Sequence, residues 1–414
     1  MSTENATERF LRYIAVDTAS DENTGTSPST KSQYVLAEML IDELKVMGVP
    51  EEDIIFDSEY CYVYCRLKAS EGAEESLPKI GFIAHMDTSP EAPGRCVSPR
   101  IIEDYDGCDI ELGNGKILSP DCFPELKLYS GQTLITTDGT TLLGADDKAG
   151  VAEIMSMVSF FLDHPEEPHG EICMAFTPDE EIGEGTKHFD VSAFGADYAY
   201  TVDGGRIGEI SYENFNAAGA VITINGRNVH PGDAYGKMIN SIRLASVIDA
   251  QIPDSERPET TRGHEGFFHL IEITGSCEKT VMRYLIRDHD RELFEEKKAR
   301  LAGICEKVMA DNPGAVISAD ITDTYYNMIS EIMPGNAFIV ERCKEAMKSV
   351  GIEPFSEPVR GGTDGATLSF MGVPCPNICS GGHNYHGVYE YVCRESIEKI
   401  TELLIEMARS PQET

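Results

Sequence analysis

Short apolar runs alternate with amphipathic stretches over much of the chain. Leu36, Leu40 and Leu44 recur at helical spacing before Gly48, which predicts a helix with a left-handed glycine cap. The apolar run at 79–84 is typical of a strand buried in a parallel sheet. The same reasoning predicts a helix at 147–162 and strands at 172–177, 197–202 and 376–379. The pattern predicts an α/β fold with a mostly parallel central sheet flanked by helices.

The order of elements changes between about residues 214 and 327. There the pattern predicts, in chain order, a strand at 220–225, a helix at 236–250, strands at 267–274 and 280–288, a helix at 290–310 and a strand at 315–322. This is the order of the split βαβ motif, so we expect an inserted α+β domain with a ferredoxin-like fold. A larger domain would then consist of residues 1–213 and 328–414, interrupted by the inserted domain at 214–327.

The net charge of the chain limits the classes of partner that it can bind. The 414 residues include 34 Lys and Arg against 71 Asp and Glu, a formal net charge of −37, which disfavours nucleic acid and anionic membranes. No apolar run is long enough to span a bilayer, so we expect no membrane segment. The amino terminus lacks the basic and apolar regions of an export signal, and the 12 cysteines form no dense framework. We therefore expect a cytoplasmic protein.

Clusters of His, Asp and Glu follow the predicted strands or open a predicted helix. Since open α/β sheets bind ligands at the carboxyl ends of their strands, these clusters are expected to converge. The candidates, in chain order, are His85, Asp146 or Asp147, Glu180 or Glu181, Asp203, and His383 or His386. Imidazoles and carboxylates without thiolate suit Zn²⁺, Mn²⁺ or Co²⁺, and imidazole favours zinc. Two histidines and three carboxylates, one of them bridging, would give each of two ions three protein ligands and leave a fourth position for a shared water.

Seven short motifs, in order along nearly the whole chain, resemble those of the di-zinc aminoacylase/carboxypeptidase clan, and within it those of the tripeptide aminopeptidases. They are His85-Met-Asp-Thr88, Gly144-Ala-Asp-Asp-Lys148, Thr177-Pro-Asp-Glu-Glu181, Val202-Asp-Gly204, Asn228-Val-His-Pro-Gly232, Arg360-Gly-Gly-Thr-Asp-Gly365 and Asn384-Tyr-His-Gly387. The resemblance implies a metalloenzyme that releases the N-terminal residue from short peptides. It also implies two zinc ions per chain, with Co²⁺ or Mn²⁺ as substitutes.

The resemblance assigns a role to each residue of the expected metal site. His85 and Asp203 would hold one zinc, Glu181 and His386 the other, and Asp146 would bridge the two through a turn whose Asp146–Asp147 bond is cis. We expect Asp87 to fix the tautomer of an imidazole. Glu180 would be the general base.

Three further residues are candidates for substrate binding. His230 resembles a residue that reaches into the active site of family dimers and polarises the scissile carbonyl. Arg360 and Arg287 are each suited to bind a carboxylate with two hydrogen bonds, although either is equally suited to a structural ion pair. The inserted domain would act as a lid and, as in family dimers, as a surface for homodimer formation.

Two other functions fit parts of the pattern. An N-acyl amino acid deacylase or a carboxypeptidase of the same clan would use the same chemistry on a different amide. A non-catalytic binding protein that retains the fold would be expected to have lost a ligand or the base, whereas all six positions are filled here.

Overall fold

The structure is a computed structural model, and it describes residues 4–71, 73 and 77–409. The strands among these residues are, in chain order, β1 (Ile54–Asp57), β2 (Tyr62–Leu67), β3 (Ile80–His85), β4 (Arg100–Ile102), β5 (Ile110–Gly113), β6 (Lys116–Leu118), β7 (Leu134–Thr136), β8 (Ile172–Thr177), β9 (Tyr198–Gly204), β10 (Ile210–Ser211), β11 (Asn216–Asn225), β12 (Phe267–Gly275), β13 (Lys279–Asp288), β14 (Val316–Tyr325), β15 (Asn377–Cys379), β16 (Gly382–His383) and β17 (Tyr391–Cys393). The α-helices of the same residues are α1 (Ala6–Tyr13), α2 (Gln33–Met47), α3 (Ala145–Asp163), α4 (Val191–Phe194), α5 (Ser241–Asp249), α6 (Arg291–Asp311), α7 (Ile329–Ile332), α8 (Ala337–Ser349), α9 (Asp364–Phe370) and α10 (Arg394–Ala408).

These elements form two compact units. The first comprises the described residues as far as Tyr212, the segment Glu331–Ser356, and the described residues from Thr363 onward. The second comprises Glu213–Ser330 and Glu357–Gly362. The second unit therefore takes in a short segment, 357–362, that the sequence pattern placed in the larger domain. Contacts of Arg360 explain the difference, because its guanidinium donates to the carbonyl oxygens of Gly263 and Glu265 at 2.7 and 3.1 Å.

A seven-stranded mixed sheet forms the centre of the first unit, in the order β1-β2-β8-β3-β9-β15-β10. Its four central strands, β8, β3, β9 and β15, are parallel to one another, as the apolar runs predict. Strands β1, β2 and β10 join the edges in antiparallel pairings, and the sequence pattern did not indicate them. Every residue of β3 and β8 is buried, which is the pattern expected where helices flank a parallel sheet.

Helix α3 brings its first turn close to the end of the sheet. A Cβ on Gly150 would lie 2.2 Å from the carbonyl oxygen of Val202 in β9, so only glycine permits this approach. Buried apolar residues such as Val151, Ile154 and Val158 fill the space around the helix, and each contributes about 1.5–3 kcal/mol of burial energy. The packing of α3 therefore fixes where its amino-terminal residues lie.

Two smaller sheets complete the first unit. One is a four-stranded antiparallel sheet in the order β16-β17-β7-β4, and the other is the hairpin of β5 and β6. The sequence pattern did not indicate either sheet, because these strands are only two to four residues long. Strand β16 leads directly into the loop that carries His386.

The second unit has the strand–helix order predicted for the inserted domain. Its four-stranded antiparallel sheet has the order β12-β13-β11-β14, with α5 and α6 connecting the strands as in the ferredoxin-like motif. The helix expected at 236–250 begins later, at Ser241, because the Asn240 side chain caps it by accepting from the backbone N–H groups of Ile242 and Arg243. The last strand extends beyond the expected end, to Tyr325.

None of the helices in the described part of the chain combines the length and the apolar character that crossing a bilayer requires.

Candidate metal centre

Five of the predicted site residues converge at one end of the central sheet, within the first unit. His85 is the last residue of β3, and Asp203 lies near the end of β9. Glu181 lies in a short 3₁₀-helix that follows β8. Asp146 lies in the first turn of α3, and His386 lies in the loop after β16. Because β8, β3 and β9 are parallel neighbours, their carboxyl ends meet at one edge.

The carboxylate of Asp146 lies between two groups of potential ligand atoms. Its Oδ1 is 2.9 Å from His85 Nε2, which is 3.5 Å from Asp203 Oδ1. Its Oδ2 is 3.2 Å from His386 Nε2, which is 2.8 Å from Glu181 Oε2. Each oxygen of the Asp146 carboxylate therefore lies beside a separate imidazole, and each imidazole lies beside one further carboxylate. The peptide bond between Asp146 and Asp147 is cis.

Asp87 contacts both His85 and the segment that carries the two glutamates. Nδ1 of His85 lies 3.0 Å from the Asp87 carbonyl oxygen and 3.3 Å from its Oδ1. A proton on Nδ1 donated there leaves the lone pair of Nε2 directed at Asp146 and Asp203. The same carboxylate accepts from the backbone N–H of Glu180 at 3.0 Å and of Glu181 at 3.2 Å. One buried side chain thus orients an imidazole and the backbone of both glutamates.

The cluster concentrates negative charge in a buried position. Burial and the neighbouring Asp203 raise the pKa of Glu180 well above its usual value. Burial raises the pKa of Glu181 to about 7 although His386 opposes the shift, and it raises the pKa of Asp203 to about 6 against the effect of His85. Hydrogen bonds to Asp146 and Glu181 raise the pKa of His386 to about 11. Divalent cations would neutralise a cluster of this kind.

The donor set fits divalent metal ions. It offers two imidazoles and three carboxylates and no thiolate, which is the ligand chemistry of Zn²⁺ and of related transition metals. Potential ligand atoms of His85, Asp146 and Glu181 all lie within 4.8 Å of one another. Oε1 of Glu181 is buried and has no hydrogen-bond partner among the described residues. Since buried polar atoms are nearly always paired, this oxygen is suited to a bound ion.

The alternatives that the sequence left open have different surroundings. Both oxygens of Asp147 accept backbone N–H groups, from His85 at 3.2 Å and from Gly150 at 3.3 Å. Nε2 of His383 forms a 2.6 Å hydrogen bond with the hydroxyl of Tyr129, and its ring stacks on Tyr391. Burial, together with Arg206, lowers the pKa of His383 to about 4. Asp147 also lies near His85 and Asp203, within 4.8 Å between potential ligand atoms.

The three candidates for substrate binding all belong to the second unit. His230 is exposed, and its Nδ1 accepts from the backbone N–H of Gly232 at 3.2 Å. Arg287 donates to the carbonyl oxygens of Ala218 and Ile286, at 3.3 and 3.0 Å.

The side chain of Arg360 makes its contacts within the second unit. In addition to two carbonyl oxygens, its guanidinium contacts the Thr261 hydroxyl at 2.9 Å and lies 5.1 Å from the centre of the Phe215 ring. These contacts favour a structural role for Arg360, and so do the carbonyl contacts of Arg287. The carboxylate-binding role of each arginine stays a prediction.

The sequence did not single out two buried carboxylates that support this site. Glu390 accepts three backbone N–H groups from the loop that carries Asp146. Asp179 precedes the glutamate pair and accepts from the backbone and hydroxyl of Ser29 and from the amide of Gln33. In an acidic chain, single acidic residues of this kind resemble surface charges, and only their burial distinguishes them.

Comparisons with known proteins agree with this fold. A family model for the peptidase dimerisation domain matches residues 212–313. The solved structure of aminopeptidase PepT from Bacillus cereus ATCC 10987 superposes with a TM-score of 0.77 at 23% identity, and the match covers 98% of this chain and 97% of that one. A tripeptidase from Staphylococcus aureus subsp. aureus Mu50 superposes with a TM-score of 0.76 at 19% identity, covering 98% and 97% of the two chains. At these identities the likeness establishes the fold, which is that of a peptidase with an inserted dimerisation domain.

Sequence similarity establishes the family. Peptidase T of Clostridium perfringens (strain 13 / Type A) is 54% identical over 402 residues, which cover 97% of this chain and 98% of the relative. The chain belongs to the peptidase T family and is a peptide hydrolase. The resemblance inferred from the seven motifs is confirmed.

Proposed function

We propose that this protein is a two-metal aminopeptidase that removes the N-terminal residue from tripeptides. The observation that carries the proposal is the Asp146 carboxylate, whose two oxygens face two separate pairs of one imidazole and one carboxylate. Such a carboxylate is suited to bridge two ions. Membership of the peptidase T family supports peptides as the substrates, and the motif resemblance supports tripeptides.

The proposed ligands divide between two ions. His85 and Asp203 would hold one ion, Glu181 and His386 the other, and Asp146 would contact both. We propose zinc, with Co²⁺ or Mn²⁺ as substitutes, because imidazole and carboxylate ligands suit all three. When bound, such ions lower the pKa of water and polarise a carbonyl oxygen.

Glu180 is the proposed general base. Asp87 accepts from the backbone N–H of Glu180 at 3.0 Å and from that of the adjacent Glu181 at 3.2 Å, which orients the segment that carries both glutamates. The Glu180 side chain makes no hydrogen bond or ion pair with another described residue. Its carboxylate would take a proton from water as the water oxygen bonds to the scissile carbonyl carbon. It would then deliver that proton to the amine nitrogen as the C–N bond breaks.

The second unit is proposed to act as a lid and to form a homodimer. The match of residues 212–313 to a peptidase dimerisation domain supports the dimer. The exposed position of His230 is compatible with the proposed contact between this imidazole and a substrate carbonyl. The substrate-carboxylate roles of Arg287 and Arg360 and the cytoplasmic location stay predictions.

The products formed from matched substrates test the proposal. The protein is incubated with Ala-Ala-Ala, with its N-acetylated form and with N-acetylated amino acids, and the products are identified by mass spectrometry. Release of free alanine and Ala-Ala from the unblocked peptide alone supports the aminopeptidase. Deacetylation, or release of carboxyl-terminal alanine from the blocked peptide, would contradict it and favour the deacylase or the carboxypeptidase. Activity that survives verified removal of all metal would contradict the two-metal mechanism.

A further inference from the structure

A buried carboxylate connects the two loops that carry Asp146 and His386. Glu390 is only 1% exposed. Its Oε2 accepts from the backbone N–H of Leu143 at 2.6 Å and of Gly144 at 2.9 Å, and its Oε1 accepts from the N–H of Asp146 at 3.1 Å. All three donors belong to the turn that opens α3.

The turn that precedes the regular part of α3 depends on this carboxylate for an acceptor. Asp146 and Asp147 have non-helical backbone angles, so the regular part of the helix begins after them. The side chain of Asp147 caps that part, because its Oδ1 accepts from the backbone N–H of Gly150 at 3.3 Å. Glu390 instead supplies the acceptor for the N–H groups of the preceding turn, from a distant part of the chain.

The backbone of Glu390 is anchored to the loop that carries His386. Glu390 comes four residues after His386, and its own N–H donates to the carbonyl oxygen of Gly387 at 3.2 Å. The hydroxyl of Thr137 holds the same loop through the carbonyl oxygen of Val388 at 2.7 Å. The next residue, Tyr391, begins β17 and pairs with Thr136 of β7. The position of Glu390 is therefore set by the strand that follows the His386 loop.

We propose that Glu390 is a positioning residue for the metal centre, which sets the distance between Asp146 and His386. These two side chains meet at 3.2 Å, between Oδ2 and Nε2. Each reaches that position from a different loop, and the three hydrogen bonds of Glu390 join the two loops directly. This inference rests on the proposed ligand roles of Asp146 and His386. Glu390 itself contacts backbone N–H groups, so it acts on metal binding through the Asp146 turn.

The replacement Glu390→Gln isolates this role. Glutamine has nearly the same shape, but its amide NH₂ cannot accept a hydrogen bond. Either the Asp146 N–H or the pair from Leu143 and Gly144 then loses its acceptor. Changes to residues that orient metal ligands typically weaken metal binding by roughly 10–100-fold, and we expect a change of that size.

The experiment measures the zinc dissociation constant by competition with a chromophoric chelator, with zinc alone as the probe. Thermal unfolding of the chelated protein is followed in parallel. We expect Glu390→Gln to raise the dissociation constant roughly 10–100-fold, and excess zinc to restore two ions per chain. A lower unfolding temperature with an unchanged dissociation constant would show a purely structural role and overturn the proposal.

The matched control is Glu395→Gln. Glu395 lies in the first turn of α10. Both of its carboxylate oxygens accept from the backbone N–H of Thr133, at 2.9 and 3.2 Å. The chemical change is the same, but none of the proposed metal ligands takes part in these bonds. We expect the zinc affinity of this variant to equal that of the wild type. An equal loss in both variants would overturn the proposal.

Glu390→Asp keeps the test decisive if the glutamine variant does not fold. The shorter side chain retains the charge but reaches the turn less well, so we expect a smaller rise in the zinc dissociation constant. An unchanged constant in this variant would contradict the proposal. If the wild-type protein itself fails to bind two zinc ions, the proposed metal centre is wrong. If the wild type binds two and the Glu390 variants bind them equally well, only this inference fails.

Discussion

The backbone N–H of Glu180 donates to Oδ1 of Asp87 at 3.0 Å, so the proposed general base is held by the residue that orients a proposed metal ligand. The same oxygen lies 3.3 Å from Nδ1 of His85. A change at Asp87 is therefore expected to alter the orientation of both the His85 imidazole and the segment that carries Glu180 and Glu181.

Asp87→Asn is expected to lower kcat/KM by roughly 10–100-fold. The asparagine NH₂ cannot accept from a backbone N–H, so the segment that carries Glu180 loses one of its two anchors. Steady-state kinetics on a tripeptide, with metal content measured on the same sample, checks this. Asp190→Asn is the control, because Asp190 also accepts two backbone N–H groups, at the start of α4. Equal rates for Asp87→Asn and the wild type would show that the contact has no role in catalysis.

The two histidines of the carboxyl-terminal motif are expected to behave differently when replaced. His383 is held by Tyr129 and Tyr391, so His383→Phe removes a buried hydrogen bond and is expected to cost about 1–3 kcal/mol of unfolding free energy. Both metals should remain bound. His386→Ala should instead lose one metal per chain. Elemental analysis and denaturant unfolding of both variants separate the two effects, and the reverse pattern would exchange the roles of the two histidines.

Helices α1 and α2 are joined by an ion pair whose strength depends on pH. Glu43 lies 2.7 Å from Arg9 and 2.6 Å from Arg12, and it accepts from the hydroxyl of Tyr13 at 2.7 Å. Burial alone would raise the pKa of Glu43, but these hydrogen bonds outweigh burial and hold the pKa below its usual value. The stabilisation is therefore present above the unfolded-state pKa and is lost as the pH falls through the lower folded-state pKa.

Glu43→Gln should accordingly reduce the unfolding free energy by about 1.5–3 kcal/mol at neutral pH and by less in acid. Chemical denaturation between neutral pH and pH 3 measures the difference from the wild type. Glu38→Gln, on an exposed position of the same helix, is the control and should show a small difference that does not change with pH. A Glu43 effect that stays constant down to pH 3 would contradict the assignment.

The sequence predicted the elements that bury apolar residues in long or regular patterns. Strand 172–177 and the helix that ends at Gly48 appear where the pattern placed them, because burial alone decides them. Strands β4, β7 and β17 were not predicted, since three residues are too short for a periodicity. The start of α5 was placed too early because the cap at Asn240 outweighs the apolar spacing before it.

The site was predicted as a set of candidates rather than as an arrangement. Strand ends showed which residues would converge, but choosing between His383 and His386 depended on the resemblance, because both follow the same short strand. Glu390 was not predicted, since its importance lies in three backbone N–H groups that are 244 or more positions away. Nothing in a single sequence marks a carboxylate as the acceptor for a distant turn.

Replacing each of the two adjacent glutamates separates the proposed general base from the proposed metal ligand. Glu180→Gln keeps the shape of the side chain but cannot take a proton, so the rate should fall by roughly 10²–10⁴ while both metals stay bound. Glu181→Gln replaces an anionic ligand with a neutral one, so one metal should be lost and activity should partly recover as free metal is raised.

Metal content per chain, measured by elemental analysis beside the rate of tripeptide hydrolysis for the wild type and both variants, is the most direct measurement. We expect two metals in the wild type, two in the nearly inactive Glu180→Gln protein, and fewer in Glu181→Gln. Loss of metal from Glu180→Gln with two retained in Glu181→Gln would reverse the two roles. Unchanged turnover in both variants would show that the proposed active site is wrong.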